Sequence, residues 1–323
     1  MKVPSFEVIN YALRPAKAAE RKMLCDLIRR LDAFGKVDNY RYIGFGSVYF
    51  ADFQLLHQIF GISDMVSIER EVEKERRFEF NKPFRCIQLQ MGDSGAILPQ
   101  LDWGKRVIVW LDYDGKLSAS VLADVATVCS KARSGSLVLV SVNVQPEATA
   151  TSTFREQEEQ RLQTFKEAVG PGNVPLGLSG ADLRGPKLAE VCRRVISNTI
   201  RQELASRNGP LGEQDRIQYR QLINFRYADG AKMLTVGGVL YATREEGLAT
   251  SCSFSALPFV RASEDACEIR APRLTPKEVR HLNAQLPHLP ADQLEVPGVP
   301  EVDIKDFAAI YRYYPTFGEV LVG

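Results

Sequence analysis

Apolar and polar positions alternate with two different periods through the first half of the chain. Residues 16–34 place apolar side chains at helical spacing, with Pro15 suited to a first helical turn and Gly35 to a helix end. Short runs rich in apolar residues predict strands at 40–45, 65–68, 85–90, 107–111 and 136–142, and the run 107–111 is apolar throughout. Helices are predicted between them at 51–60, 72–80 and 118–131, and a short helix or turn at 94–101. Apolar strands separated by helices indicate a doubly wound, mainly parallel α/β sheet that is buried on both faces.

The character of the chain changes after residue 145. Polar segments at 151–169 and 187–206 predict a helical insertion. Runs at 222–227 and 232–241 predict an antiparallel hairpin near the end of the sheet, and a Pro-rich C-terminal extension with one helix follows. These patterns give an N-terminal helical segment, a sheet core, a helical insertion, a closing hairpin and a C-terminal extension, at 1–39, 40–145, 146–220, 221–250 and 251–323.

Charge and composition narrow the range of partners. Of the 323 residues 45% are hydrophobic, and 41 Lys and Arg residues nearly balance 40 Asp and Glu residues. This balance gives no general electrostatic attraction to nucleic acid or to an anionic membrane. The first residues lack the apolar stretch of a signal peptide, and no run reaches the roughly 18 apolar residues of a membrane span. We therefore expect a cytoplasmic protein that is not bound to membranes.

Residue types that bind zinc are sparse. The six cysteines form no Cys-x-x-Cys pair, and the three histidines are His57, His281 and His288. Neither set has the spacing of zinc ligands, so the sequence predicts no zinc site.

The residues most suited to chemistry follow the predicted parallel strands, at the edge where open α/β sheets bind ligands. The first strand leads into Gly44-Phe45-Gly46-Ser47, a turn whose backbone can approach a ligand closely. The second ends at Glu69, a carboxylate suited to accept hydrogen bonds from ribose hydroxyls. The third is followed by Asp93, and the fourth by Asp112 and Asp114. Suitable groups at four successive strand ends favour a ligand site over a chance distribution of surface carboxylates.

In this order the strand-end residues resemble those of the class I S-adenosylmethionine-dependent methyltransferases, which have a Rossmann-like core. The resemblance covers residues 40–145. It implies that Gly44, Gly46 and the adjoining serine pass the methionine part of the cofactor, and that Glu69 holds its ribose. It also implies that Asp93 faces the adenine amino group and that Asp112 lies beside the sulfonium and the methyl acceptor.

Two positions depart from the pattern of that family. Tyr42 stands where an acidic residue is usual, and Val48 where a third glycine is common. The ammonium group of the cofactor would then be held by Asp112, by Asp52 or by backbone carbonyls, and these alternatives stay open.

The sequence does not identify the acceptor. No Asn/Asp-Pro-Pro-Tyr/Phe motif of amino-group DNA methyltransferases follows the fourth strand. Residues 112–116, Asp-Tyr-Asp-Gly-Lys, are similar to a stretch of metal-dependent catechol-type O-methyltransferases, whose carboxylates hold a divalent cation. The Asp-Asn pair of that family is replaced by Val142-Asn143, so one expected ligand is absent and we predict no metal site.

The predicted function is S-adenosylmethionine-dependent methyl transfer to an unidentified oxygen or nitrogen acceptor, with Asp112 or Asp114 accepting a proton from it. The alternative is a methyltransferase-like module without catalysis, whose segment 146–220 or C-terminal tail binds a protein partner. A nicotinamide-dependent dehydrogenase is disfavoured, because the turn after Gly44 lacks the third glycine spaced for a pyrophosphate.

Two further groups lie outside this set. Arg14 and Lys17 open the first helix, and we interpret them as a solvated helix start rather than as groups that bind an anionic substrate. An aromatic cluster near the C-terminus is interpreted as an anchor of the tail rather than as a surface that stacks on bases. The cluster consists of Tyr311, Tyr313, Tyr314 and Phe317.

Overall fold

An eight-stranded sheet organises the residues that the computed structural model describes, which are 14–146 and 153–315. Its strands are β1 (Arg41–Gly44), β2 (Asp64–Glu69), β3 (Ile87–Met91), β4 (Val107–Lys116), β5 (Ser136–Asn143), β6 (Ile217–Asp229), β7 (Ala231–Ala242) and β8 (Cys267–Ile269). The α-helices are α1 (Pro15–Arg29), α2 (Ala51–Phe60), α3 (Glu75–Asn81), α4 (Ser94–Ile97), α5 (Ala119–Lys131), α6 (Phe154–Val169), α7 (Gly185–Asn208), α8 (Glu246–Ser251), α9 (Pro276–Gln285) and α10 (Glu301–Ile310).

The strand order is β3-β2-β1-β4-β5-β7-β6-β8. Strands β1 to β5 pair in parallel, β7 runs antiparallel to both β5 and β6, and β8 pairs in parallel with β6. Chain order reverses beside β1, between β2 and β4, which is the place where a doubly wound sheet opens a crevice at its carboxyl edge. The predicted mainly parallel α/β sheet with a terminal hairpin is confirmed.

Helices cover both faces of the sheet, as strands that are apolar throughout require. Helices α1 and α2 pack on one face together with C-terminal residues such as Phe259 and Tyr313. Helices α5 and α7 pack on the other face against β4 and β5. A smaller apolar cluster joins α9 to α10.

Several elements differ from the sequence prediction. Helix α8 was not predicted, and β6 begins at Ile217, inside the segment 146–220 that was predicted as a helical insertion. Strand β4 continues past Leu111 to Lys116, because its last residues form a polar extension that still pairs Lys116 with Asn143 after a register shift. Strand β8 and helix α10 were not predicted, since three residues are too few for a periodic signal and the helix lies in a Pro-rich region. Within the described residues, no helix is both long and apolar enough to cross a membrane.

The two ends of the described chain are fixed to the core by side chains. The carboxylate of Asp229, beside the hairpin turn, accepts the backbone N–H groups of Ala16 and Lys17 at 3.0 and 2.8 Å and so caps α1. Near the C-terminus, the hydroxyl of Tyr313 donates to Asp26 at 2.9 Å, and that of Tyr314 donates to a backbone carbonyl. The aromatic anchor is therefore confirmed for these tyrosines. Phe317 and the predicted helix start at 151–152 lie outside the described residues.

Candidate active site

The turn after β1 is closed by the carboxylate at the end of β2. The backbone N–H groups of Gly46 and Ser47 donate to Oε1 of Glu69 at 2.7 and 2.9 Å. The hydroxyl of Ser67 donates to the same oxygen at 2.8 Å. The sequence places the β1 turn and Glu69 at the same carboxyl edge of the sheet, and in the structure the two are in direct contact. All three donors converge on a single carboxylate oxygen.

The conformation of this turn explains its glycines. A Cβ added to Gly44 would lie 2.7 Å from the hydroxyl oxygen of Tyr42, and one added to Gly46 would lie 2.5 Å from the ring of Phe50. Ser47 and Phe50 adopt left-handed backbone conformations with φ near 46° and 45°. Non-glycine residues in this region carry strain of roughly 1–3 kcal/mol, which is concentrated at functional sites in many proteins.

Burial sets the ionisation of Glu69. The side chain is 7% exposed, and burial raises its pKa to about 7, against the opposite effect of the hydrogen bonds from Ser67, Gly46 and Ser47. A carboxyl group with this pKa changes charge near neutral pH, which an exposed glutamate does not do.

The end of β3 places Asp93 in an exposed position directly before α4. The next residue, Ser94, is turned inward, and its hydroxyl donates to Asp124 of α5. Tyr113 of β4 donates to the same oxygen of Asp124. Asp124 was not among the predicted site residues, although it interrupts the apolar stripe of α5 and is therefore carried into the core.

The end of β4 is dominated by a buried lysine from α1. Nζ of Lys17 lies 2.8 Å from Oδ1 of Asp112, 2.9 Å from Oε2 of Glu20 and 3.1 Å from the hydroxyl of Tyr227. It also lies 4.2 Å from the ring centroid of Trp110. We call Lys17, Glu20, Asp112 and Tyr227 the lysine cluster. The side chain of Lys17 is 1% exposed and Arg14 is 8% exposed, so the interpretation of these residues as a solvated helix start is wrong.

The lysine cluster fixes the charge of Asp112. Burial alone would raise the pKa of this carboxyl, but the charge and hydrogen bond of Lys17 outweigh it and hold the pKa below its usual value. Burial likewise acts to lower the pKa of Lys17, and the charges of Asp112 and Glu20 hold it well above the usual value. Asp112 therefore stays a carboxylate at neutral pH, with 14% of its side chain exposed. Asp114 lies two residues further along the β4 extension and is exposed.

A signal for the missed residues is present in the sequence. Lys17, Glu20 and Arg21 stand at helical spacing from Leu24 and Ile28, so they continue the apolar stripe of α1 into its first turns. Charged residues in line with an apolar stripe are carried into the interior, where they require partners.

Two alternatives from the sequence take a definite form in the structure. Asp52 is buried and forms an ion pair with Arg21, whereas Asp112 keeps part of its carboxylate exposed. Asn143, compared above with a metal ligand, accepts the backbone N–H of Gln145 on its side-chain oxygen at 2.8 Å. Across residues 14–146 and 153–315, no group of three or more His, Cys, Asp and Glu side chains is arranged to hold a metal ion.

Comparison with known proteins identifies the class. Residues 9–322 match the family described as "Putative O-methyltransferase", and the chain belongs to this family. The predicted class of protein, a methyltransferase with a Rossmann-like core, is confirmed by this membership and by the strand order. A search of curated proteins returned no match.

Several solved structures are similar in fold. Cofactor-bound Rv0187 from MTB shares 15% identity over 73% of this chain and 92% of its own, with a TM-score of 0.35. The O-methyltransferase TomG from Streptomyces achromogenes, solved with SAM, shares 17% sequence identity over 72% of this chain and 90% of its own, with a TM-score of 0.34. Trm1 from Pyrococcus horikoshii, solved with S-adenosyl-L-methionine, shares 11% sequence identity over 76% of this chain and 61% of its own, with a TM-score of 0.45.

Proposed function

We propose that the protein transfers a methyl group from S-adenosylmethionine to a hydroxyl oxygen of an acceptor. Membership of the O-methyltransferase family supports the reaction class. The observation that carries the assignment to this edge of the sheet is the contact between the β1 turn and Glu69, in which two backbone N–H groups orient a buried carboxylate. S-adenosylmethionine supplies an electrophilic methyl group on a sulfonium, so the protein has to bind, orient and exclude water.

Residues of the β1 and β2 ends fit the cofactor. Glu69 receives the turn amides and Ser67 on Oε1, so we assign its second oxygen, Oε2, to the ribose hydroxyls. The turn has no space for a Cβ at Gly44 or Gly46, because Tyr42 and Phe50 occupy it. We assign the backbone of this turn to the methionine part of the cofactor. Exposed Asp93 is assigned to the adenine amino group.

Asp112 is assigned to the charged groups of the cofactor rather than to proton transfer. Lys17 lowers the pKa of Asp112, which makes its carboxylate a weak proton acceptor. A carboxylate held ionised and part-exposed attracts the cationic sulfonium and ammonium groups. Asp52 is likewise paired with a cation, Arg21, and is less suited to the ammonium because only 8% of its side chain is exposed, against 14% for Asp112. Asp114, which is exposed on the β4 extension, is the group we assign to accept the acceptor's proton.

Titration calorimetry with S-adenosylmethionine, S-adenosylhomocysteine and NAD in parallel tests the proposal. We expect binding of the first two and none of NAD. A radiolabelled-methyl transfer assay on cell extract then separates an enzyme from a binding module, because only an enzyme labels a component of the extract. Binding of NAD alone, or binding of neither methionine derivative, would contradict the cofactor assignment. Tight binding without transfer would contradict catalysis and favour the module.

A further inference from the structure

One buried carboxylate connects three of the strand ends that form the candidate site. Asp124 lies in the middle of α5 and is 2% exposed. Its Oδ2 accepts the hydroxyl of Ser94, the first residue of α4, and the hydroxyl of Tyr113 in the β4 extension. The segment that follows β3 and the extension of β4 are thus held by the same oxygen atom of Asp124.

The third connection runs through the ring of Tyr113. This ring packs edge-on against Phe45, with 5.1 Å between ring centroids. Phe45 stands between Gly44 and Gly46, so the ring of Tyr113 packs directly against the β1 turn. The two residues that donate to Asp124 each follow a residue assigned to the cofactor, since Ser94 follows Asp93 and Tyr113 follows Asp112.

The chemistry of the group fits a holding role. Burial and the charge of Asp124 raise the pKa of Tyr113, so its phenol keeps its proton and donates throughout the physiological range. The second oxygen of Asp124, Oδ1, is buried and has no hydrogen-bond partner among the described residues. A carboxylate in this environment loses solvation worth several kcal/mol, and the two hydroxyl donors offset part of that cost.

We infer that Asp124 is a positioning residue of the cofactor site, which fixes the β1, β3 and β4 ends relative to one another through Ser94 and Tyr113. The inference rests on the proposed function, since the strand ends are those assigned to S-adenosylmethionine. Asp124 is not assigned a contact with the cofactor.

The test measures S-adenosylhomocysteine affinity by calorimetry in two backgrounds. Tyr113→Phe removes one hydroxyl and should weaken binding about fivefold in the otherwise native protein. In an Asp124→Ala background the same substitution should change affinity by less than about twofold, because its partner is already gone. Asp124→Asn keeps one acceptor oxygen and should retain affinity closer to the native value than Asp124→Ala does. Equal effects of Tyr113→Phe in both backgrounds would overturn the inference.

A second readout needs no cofactor. Backbone hydrogen exchange of the free protein should rise at residues 45–48 and at 92–97 in Tyr113→Phe, although these segments follow different strands. Tyr40→Phe is the matched control, because it removes a buried hydroxyl bonded to the carbonyl of Gly135 and should leave both segments unchanged. Exchange that rises in neither segment would overturn the inference, and this result also decides it if Asp124→Ala does not fold. If the native protein does not bind S-adenosylhomocysteine, the proposed function fails while the exchange result still decides whether Asp124 ties the segments together.

Discussion

The two carboxylates at the candidate site, Glu69 and Asp112, occupy equivalent places at strand ends but carry opposite shifts in pKa. Glu69 is held by neutral donors, and burial raises its pKa to about 7. Asp112 is held by a buried cation, which lowers its pKa despite its own burial. Position on the sheet determines where each acid lies, while its partners determine whether it is charged.

The partners also differ in their distance along the chain. The amides that hold Glu69 come from 22 and 23 residues away, within one strand–helix–strand unit. The lysine that holds Asp112 comes from 95 residues away, on a helix that precedes the sheet. A change at the lysine cluster should therefore act on the whole fold, and a change at the β1 turn should act mainly on binding.

The largest effect is expected for Lys17→Met. This substitution leaves Asp112 and Glu20 buried without their cation, so it should lower the free energy of unfolding by about 3–5 kcal/mol. Urea denaturation measures the loss. Lys22→Met is the control on the same helix, because Lys22 is exposed and donates to the carbonyl of Tyr314, and it should change stability by at most about 0.5 kcal/mol. Similar values for the two variants would contradict the importance of the lysine cluster.

The strand ends could be predicted from the sequence, but the contacts of the lysine cluster could not. The apolar runs and their spacing predict where the strands end and that both faces of the sheet are covered, because each strand of a buried parallel sheet is itself apolar. The order of Glu69, Asp93 and Asp112 at the strand ends follows from the same runs. The contact of Lys17 with Asp112 depends on how α1 lies across the sheet, and the capping of α1 by Asp229 fixes that packing. No local period encodes it.

The next effect is on turnover. Asp112→Asn removes the negative charge assigned to the cationic groups of the cofactor while keeping the shape of the side chain. Methyl transfer should fall by roughly 10²-fold or more, the range of a lost catalytic or positioning group. Asp102→Asn, an exposed acid before β4, should leave transfer unchanged in the same radiolabel assay. Full transfer by folded Asp112→Asn would remove Asp112 from the site.

At the β1 turn the expected effect is on cofactor affinity. Glu69→Ala should weaken S-adenosylhomocysteine binding by about 1.5–3 kcal/mol, because ribose hydroxyls would lose a charged acceptor. Calorimetry measures the loss. Glu73→Ala, an exposed acid four residues further along, is the control and should bind as the native protein does. Unchanged binding in Glu69→Ala would contradict the ribose assignment.

The raised pKa of Glu69 predicts a pH dependence with a definite sign. Hydroxyl donors favour the ionised carboxylate, so affinity should increase as the pH rises toward about 7 and level off above it. The stability of the free protein should change in the opposite direction. A folded pKa above the ordinary 4.5 gives a contribution to stability that is complete below that value and is lost as the pH rises through about 7. Glu69→Gln should reduce both trends, and an affinity that falls toward pH 7 would contradict the assignment.

The smallest effect separates strain from ionisation at the β1 turn. Ser47 holds φ near 46°, where glycine is relaxed and serine is not, so Ser47→Gly should raise the free energy of unfolding by about 0.5 kcal/mol after the entropy of the added glycine is counted. The backbone N–H that donates to Glu69 remains, so the pH dependence of affinity should keep its midpoint near 7. Ser120→Gly, at an exposed position of α5, should instead lose about 0.5 kcal/mol, because glycine lowers helix propensity there. Thermal unfolding of the two variants measures this difference in sign. If Ser47→Gly also destabilises the protein, the left-handed conformation of Ser47 is not a source of strain, and the contrast between the β1 turn and the lysine cluster rests on ionisation alone.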